Sequence, residues 1–357
     1  MQRLKLLSVP PTFWKVVPMK RLSAVVVSAA LLTAAACSDA TKIEAPSSSA
    51  DLTPSYAQND EIGYANAHIH IMPIKSQAQE AHAKPGGGGG AGGTGIFYHG
   101  GPVLQTGTNV AAIYWSNSII YNGGPTPGTN GSGSADGSLV GFFMSNLGGT
   151  PYFGINSTYT DGSGKAIANK VTYTQYWANN TSAPTGTQNV TDANMVAMLQ
   201  SGFDSGKLTY DASTLYAIFT ENKVNLGGGF GTQYCAYHYH GTVTIGGVSK
   251  TVLYAAMPYD YAYPGACTNG TASPNADPGA DAEVNTLAHE IEETTTDLMG
   301  NAWYDRRGYE NADKCAWTWG TTSTASNGGV YNVTINGKKF LIQRNWKNSG
   351  SGGCFMS

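Results

Sequence analysis

The residues best suited to chemistry lie in DAEVNTLAHEIEETTTDLM, residues 281–299. His289 and Glu293 are four apart, which on a helix puts both on one face. Glu290 stands between them in sequence. H-E-x-x-E is a variant of the H-E-x-x-H pattern, in which two ligands one turn apart grip zinc and the glutamate activates a water. Replacing the second His with Glu keeps an oxygen ligand that zinc accepts. Further on, Glu310 lies twenty-one residues after His289, and Asp313 follows it. The expected zinc ligands are therefore His289, Glu293 and Glu310, with Asp313 orienting His289. Glu290 is the expected general base for attack of water on a peptide carbonyl. One His and two Glu acidify bound water less than two His and one Glu, so slow turnover or a structural ion also fits. Asp297 and Asp305 are alternative hard oxygen ligands that would suit Ca2+. The bland alternative has no metal: His and Glu at this spacing form a solvated surface ion pair worth under about 1 kcal/mol.

These residues need a helix and a scaffold. Val284, Leu287, Ala288, Ile291 and Leu298 recur at helical spacing and predict an amphipathic helix over 281–299. Its His289/Glu293 face lies roughly opposite the apolar stripe. Apolar, β-branched or aromatic runs at 110–115, 215–220 and 252–257 predict buried strands. Residues 137–147 carry a helical pattern, and Thr191 caps a helix bearing Met195, Met198 and Leu199 on one face. Asn336-Gly337 predicts a type I′ hairpin within 330–342. The alternation of strands and helices, with no internal repeat, predicts one layered α/β (α+β) domain with a mixed central sheet. His238 and His240, in YCAYHYH, share one strand face. A hydrogen-bonded role near Cys235 is the plainer expectation for them, although either, or Tyr304, is a candidate to steady an oxyanion. His99, beside Gly100 and Gly101, reads as part of a tight turn. Trp303, Trp317 and Trp319 read as core or as the lining of a groove.

Charged residues make up 12% of the 357, about half the usual share near 25%, and the net charge is −3. That excludes a nucleic-acid binder relying on a basic surface. The 41% hydrophobic content excludes a wholly disordered chain. Residues 19–37, MKRLSAVVVSAALLTAAAC, have a basic start, an apolar run and a run of Ala ending at Cys37. This looks like a bacterial lipoprotein signal, so 1–37 is the expected signal peptide, with Met19 as an alternative start and Cys37 lipidated. The protein is then exported, and its contact with membrane is through that anchor alone. Ser38 after the lipid-bearing Cys favours the outer membrane; an ordinary secretory cut near the same Ala run is the alternative. Removing 1–37 takes five basic residues and no acidic one, so the net charge falls from −3 to −8. Residues 38–95, ending in KPGGGGGAGG and the residues just after it, read as a disordered, Gly-rich linker. His68, His70 and His82 fall within it and read as incidental, and the folded domain is expected over 96–357. In an oxidising compartment Cys235, Cys267, Cys315 and Cys354 predict two disulfides. Of three connectivities, Cys235–Cys267 with Cys315–Cys354 is preferred. No C-x-x-C pair supports a thiolate zinc site.

Six short blocks recur in the order of one family. They are YHGGPVL at 98–104; Gly229, Phe230, Cys235 and His238; Pro264, Gly265 and Cys267; Pro274, Asn275, Asp277, Gly279 and Asp281; Glu310 with Cys315; and Asn336 to Lys339 ahead of Cys354. Over about 96–357 the chain thus resembles the phosphate-induced/EXORDIUM family of secreted proteins. The resemblance implies export and a link with growth and cell-wall responses, and no particular chemistry. Two departures stand out: the plant branch has further cysteines near Gly231 and Tyr263, and it lacks the H-E-x-x-E helix. That helix, with Glu310 returning after it, resembles the zincin arrangement of thermolysin-like gluzincins. Gluzincins have His where Glu293 stands, and one more residue between the Glu and the Asp. Two readings result. One is an exported, zincin-like, metal-dependent hydrolase acting on peptides. The other is a non-catalytic surface-tethered protein that binds polysaccharide, with a structural metal or none.

Overall fold

Strand-forming runs rich in aromatic and β-branched residues assemble one mixed sheet in the computed structural model, which describes residues 70–83 and 95–357. The signal segment, Cys37, His68 and the glycine run lie outside the described residues. The sheet has seven strands: β1 His70–Pro73, β2 Thr108–Tyr114, β3 Asn130–Ser132, β4 Val171–Trp177, β5 Thr214–Phe219, β6 Tyr234–Ile245 and β7 Val248–Met257. Their order is β1-β6-β7-β5-β2-β4-β3. The β7-β5-β2-β4 pairs are parallel; the others are antiparallel. The main helices are α1 Lys75–Ala83, α2 Leu139–Asn146, α3 Asp192–Asp204 and α4 Pro278–Asp297.

Alternation along the strands creates the layers. Val110, Ala112 and Tyr114 of β2 join the core under α2 and α4. Ala111 and Ile113 join the core on the other face, with Met195, Met198 and Leu199 of α3. The result is helix, sheet and helix, the expected layered α+β domain. Local signals act where expected. Thr191 and Asn194 form a capping box at the start of α3. Asn336 and Gly337 both have positive φ between the antiparallel strands Val333–Ile335 and Lys338–Phe340, as a type I′ turn requires.

Helix α4 departs from the surface-helix reading. Its Val284, Leu287, Ala288 and Ile291 pack against the sheet. The opposite face is covered too, and every residue from Gly279 to Asp297 is buried. The C-terminal segment, through Ile335, Phe340 and Ile342, belongs to the same core. A helix buried all round must hydrogen-bond its polar side chains to protein rather than water. Gln343 N–H accordingly donates to Asn285 Oδ1 at 2.8 Å, and Asn345 Nδ2 to Glu292 Oε2 at 2.7 Å. The solvated ion pair is therefore replaced by a buried polar face.

A second correction concerns the N-terminal boundary. Residues 70–83, read from the sequence as linker, form β1 and α1. β1 adds to the outer edge of β6, with His70 opposite His238 and Met72 opposite Ala236. The cysteines pair Cys235–Cys267 and Cys315–Cys354, with Cα–Cα distances of 5.4 and 5.6 Å. No helix among the described residues is long and apolar enough to cross a membrane.

Candidate metal centre

Four elements deliver the chemically active side chains to one place. α4 contributes His289, Glu290 and Glu293, one helical turn of its buried polar face. β6 contributes His238 and β1 contributes His70. The segment returning after α4 contributes Glu310 and Asp313. Local hydrogen bonds shape that return: Asp305 Oδ1 accepts from Arg307 N–H at 2.8 Å and Tyr309 N–H at 3.1 Å. Lys314 Nζ donates to Asp305 Oδ2 at 2.8 Å, so this buried ammonium is committed outside the cluster. Asp313 N–H donates to Glu293 Oε1 at 2.9 Å, and Glu310 N–H to Asp313 Oδ2 at 3.2 Å. The Cys315–Cys354 disulfide pins the same turn.

Three cups overlap, each with its ligand atoms within 4.8 Å of one another. In the first, His289 Nε2 lies 3.0 Å from Glu293 Oε1 and 3.5 Å from Asp313 Oδ1. In the second, His238 Nδ1 lies 3.1 Å from Glu290 Oε2 and 3.6 Å from Glu293 Oε2. In the third, His238 Nε2 lies 3.7 Å from Glu310 Oε2, which also contacts His70 Nδ1. Glu293 and His238 each belong to two cups. The His70 and His238 rings stack with centroids 5.2 Å apart.

The cluster is dry. His289, Glu290, Glu293 and Glu310 are 0% exposed, and His238 is 2% exposed. Yet His289 Nδ1, His238 Nε2, Glu290 Oε1, Glu293 Oε2 and Glu310 Oε1 lack a hydrogen-bond partner. Each such buried group costs about 1–3 kcal/mol, and so many in one place demand an explanation. Three imidazoles and four carboxylates are a donor set that fits zinc or a similar divalent ion.

The electrostatics point the same way. Burial, reinforced by the charges of Glu293, Asp297 and Asp313, lifts Glu310 well above the ordinary carboxylate range. Burial also lifts Glu290 well above it, against the opposing charge of His289. Burial and the Asp313 charge push Glu293 up to about 7, with His289 opposing. Burial disfavours charge on His289, but Glu293 and Asp313 outweigh it and hold the imidazole well above its usual range. Burial, then the charges of His70 and His289, drives His238 well below that range. A divalent cation at this place would relieve such acids by substituting for their protons.

Of the residues singled out from sequence, the fold joins His289 with Glu293 and Asp313. Asp313 approaches Nε2, the nitrogen that Glu293 also faces. Glu310 is joined to His70 and His238 instead of to the first cup. Glu290 hydrogen-bonds His238. Asp297 caps the backbone after α4, accepting from Asn301 and Ala302 N–H at 2.6 and 2.7 Å. Asp305 serves the return turn. Tyr304 stacks on His99, centroids 3.6 Å apart. Trp303 donates to Thr160 O at 2.8 Å, and Trp317 donates to Pro73 O at 2.7 Å. His70, incidental on the sequence reading, and His238, read there as a hydrogen-bonded residue near Cys235, both belong to the cluster. The available signals were the H-x-H spacing of His68 and His70 and the strand alternation at His238.

Fold and site together define a three-layer α+β domain with a histidine–carboxylate cluster at its heart. The phosphate-induced protein 1 conserved region matches residues 149–356, more than half of the chain, and the chain belongs to that family. Protein EXORDIUM-like 3 of Arabidopsis thaliana is 32% identical over 160 residues, covering 38% of this chain and 47% of that protein. The chain therefore spans about half the length of this curated relative. No solved structure matches.

Proposed function

We propose that this is an exported, metal-dependent hydrolase of the phosphate-induced family that cleaves peptide bonds. The observation that carries the reading is the dry cluster of three imidazoles and four carboxylates with unpartnered ligand atoms. His289 and Glu293 hold zinc with a carboxylate returned from the 310–313 segment, and Asp313 has the nearer approach to His289. Zinc, when bound, polarises the scissile carbonyl and acidifies water. Glu290 accepts a proton from the attacking water, whose oxygen bonds to the carbonyl carbon. The C–N bond then breaks, and the proton passes to the departing amine. The signal-like residues 19–37 and the two disulfides support export, with tethering through a lipid on Cys37. Incorporation of labelled palmitate that disappears in Cys37→Ala checks the tether.

Elemental analysis of the purified protein should find stoichiometric zinc, and chelation should lower its thermal stability. Glu290→Gln should lose about 10²-fold or more of peptide hydrolysis while keeping the metal. Full burial of the cluster favours a second reading: a closed, structural ion in a non-catalytic, polysaccharide-binding surface protein. That reading predicts glycan binding that survives Glu290→Gln, with no zinc-dependent hydrolysis in any variant.

A further inference from the structure

Residues 70–74 lie along β6 as a bound peptide would. Among the described residues β6 pairs with β7 on one side and β1 on the other, so β1 alone covers the outer edge of β6 there. β1 covers that edge in antiparallel register, with His70 opposite His238 and Met72 opposite Ala236. Ile74 N–H donates to Gln233 O at 3.2 Å. The Trp317 indole donates to the Pro73 carbonyl at 2.7 Å. This register aims one side chain of the strand at the cluster. His70 Nδ1 contacts Glu310 Oε2, and the His70 ring stacks on His238 with centroids 5.2 Å apart. The strand thus touches both other residues of the third cup at once.

We propose that the outer edge of β6 is the binding edge for an extended peptide substrate, and that residues 70–74 occupy it in cis as a built-in competitor. The proposal rests on the hydrolase reading of the cluster. An extended peptide on a sheet edge gains affinity from main-chain hydrogen bonds and specificity from alternate side chains. In this register one substrate side chain lies at the His70 position, against Glu310, which favours an imidazole or a cationic group there. β1 and substrate exclude one another, so this edge is shut while the chain's own strand fills it.

The test uses the full mature chain loaded with zinc, with a recognition sequence for a site-specific protease inserted between Gly88 and Gly89. A labelled synthetic peptide spanning residues 66–80 is titrated against uncut and cut protein by fluorescence anisotropy. The cut protein should bind the peptide and the uncut protein should not. The same peptide with His70→Ala should bind about tenfold more weakly. Uncut Met72→Pro, which removes one strand N–H, should behave like the cut chain and hydrolyse a peptide library faster than the unmodified chain. Equal binding to cut and uncut chains, or no binding to folded cut and Met72→Pro chains, would overturn the proposal. Loss of the far-ultraviolet circular dichroism of both would do the same, because β1 would then be an integral strand. Peptide binding without hydrolysis in zinc would uphold the edge proposal and defeat the hydrolase reading.

Discussion

Glu290 and Glu292 are near neighbours on α4, both fully buried, with opposite fates. Glu292 is held by amides: Asn345 Nδ2 donates at 2.7 Å, and Asn156 also donates. Glu290 faces His238 and keeps one oxygen without a partner. Glu292 is therefore structural. Glu292→Ala strands two buried amides and should cost about 1–3 kcal/mol in denaturant unfolding while leaving metal content intact. A simultaneous loss of metal would move Glu292 into the cluster. The H-E-x-x-E spacing marks Glu290 as the candidate base, because helix geometry alone puts it beside His289 and Glu293. Nothing local separates it from Glu292, since the amides that claim Glu292 lie 136 residues before and 53 residues after it.

At the scale of the element, α4 shows how a helix buried on all sides carries charge. Near its start, Glu283 lies against Asp260, whose N–H donates to Glu283 Oε2 at 3.3 Å. Burial lifts Glu283 from 4.5 to about 8, and burial with the Glu283 charge lifts Asp260 well above the carboxylate range. A folded-state pKa raised above the unfolded value means the native state binds more protons between the two. The stabilisation is present below about pH 4.5 and is lost as pH rises through about 8. Glu283→Gln should therefore flatten the decline of melting temperature between those limits and gain on the parent above pH 8. A parallel decline in both proteins would mean that Glu283 does not titrate there. Apolar periodicity predicted α4 to within three residues at its start. It also predicted a wet face, because periodicity reports where apolar residues lie and not whether a polar face meets water or protein amides.

For the whole molecule, the C-terminal segment decides whether the centre exists. It covers α4 and, through Cys315–Cys354, anchors the turn that returns Glu310 and Asp313. Replacing both cysteines by Ser should cost about 2–4 kcal/mol of stability and also weaken metal binding, measured by competition with a chelator. Unchanged metal affinity would show that the turn holds itself. The chain by itself determined the local terms: the buried strands β2, β5 and β7, the helices α2, α3 and α4, the α3 capping box, the Asn336-Gly337 turn, the one-turn spacing of His289 and Glu293, and an even set of cysteines suited to two bridges. All of these depend on neighbours a few residues apart or on simple counts. Only the tertiary structure decided that His70 and His238 join the cluster, that Glu310 sits with them, and that α4 is dry on every side. Those facts depend on strand register and on layers closing over one another, contacts between residues tens to hundreds of positions apart that no local pattern encodes.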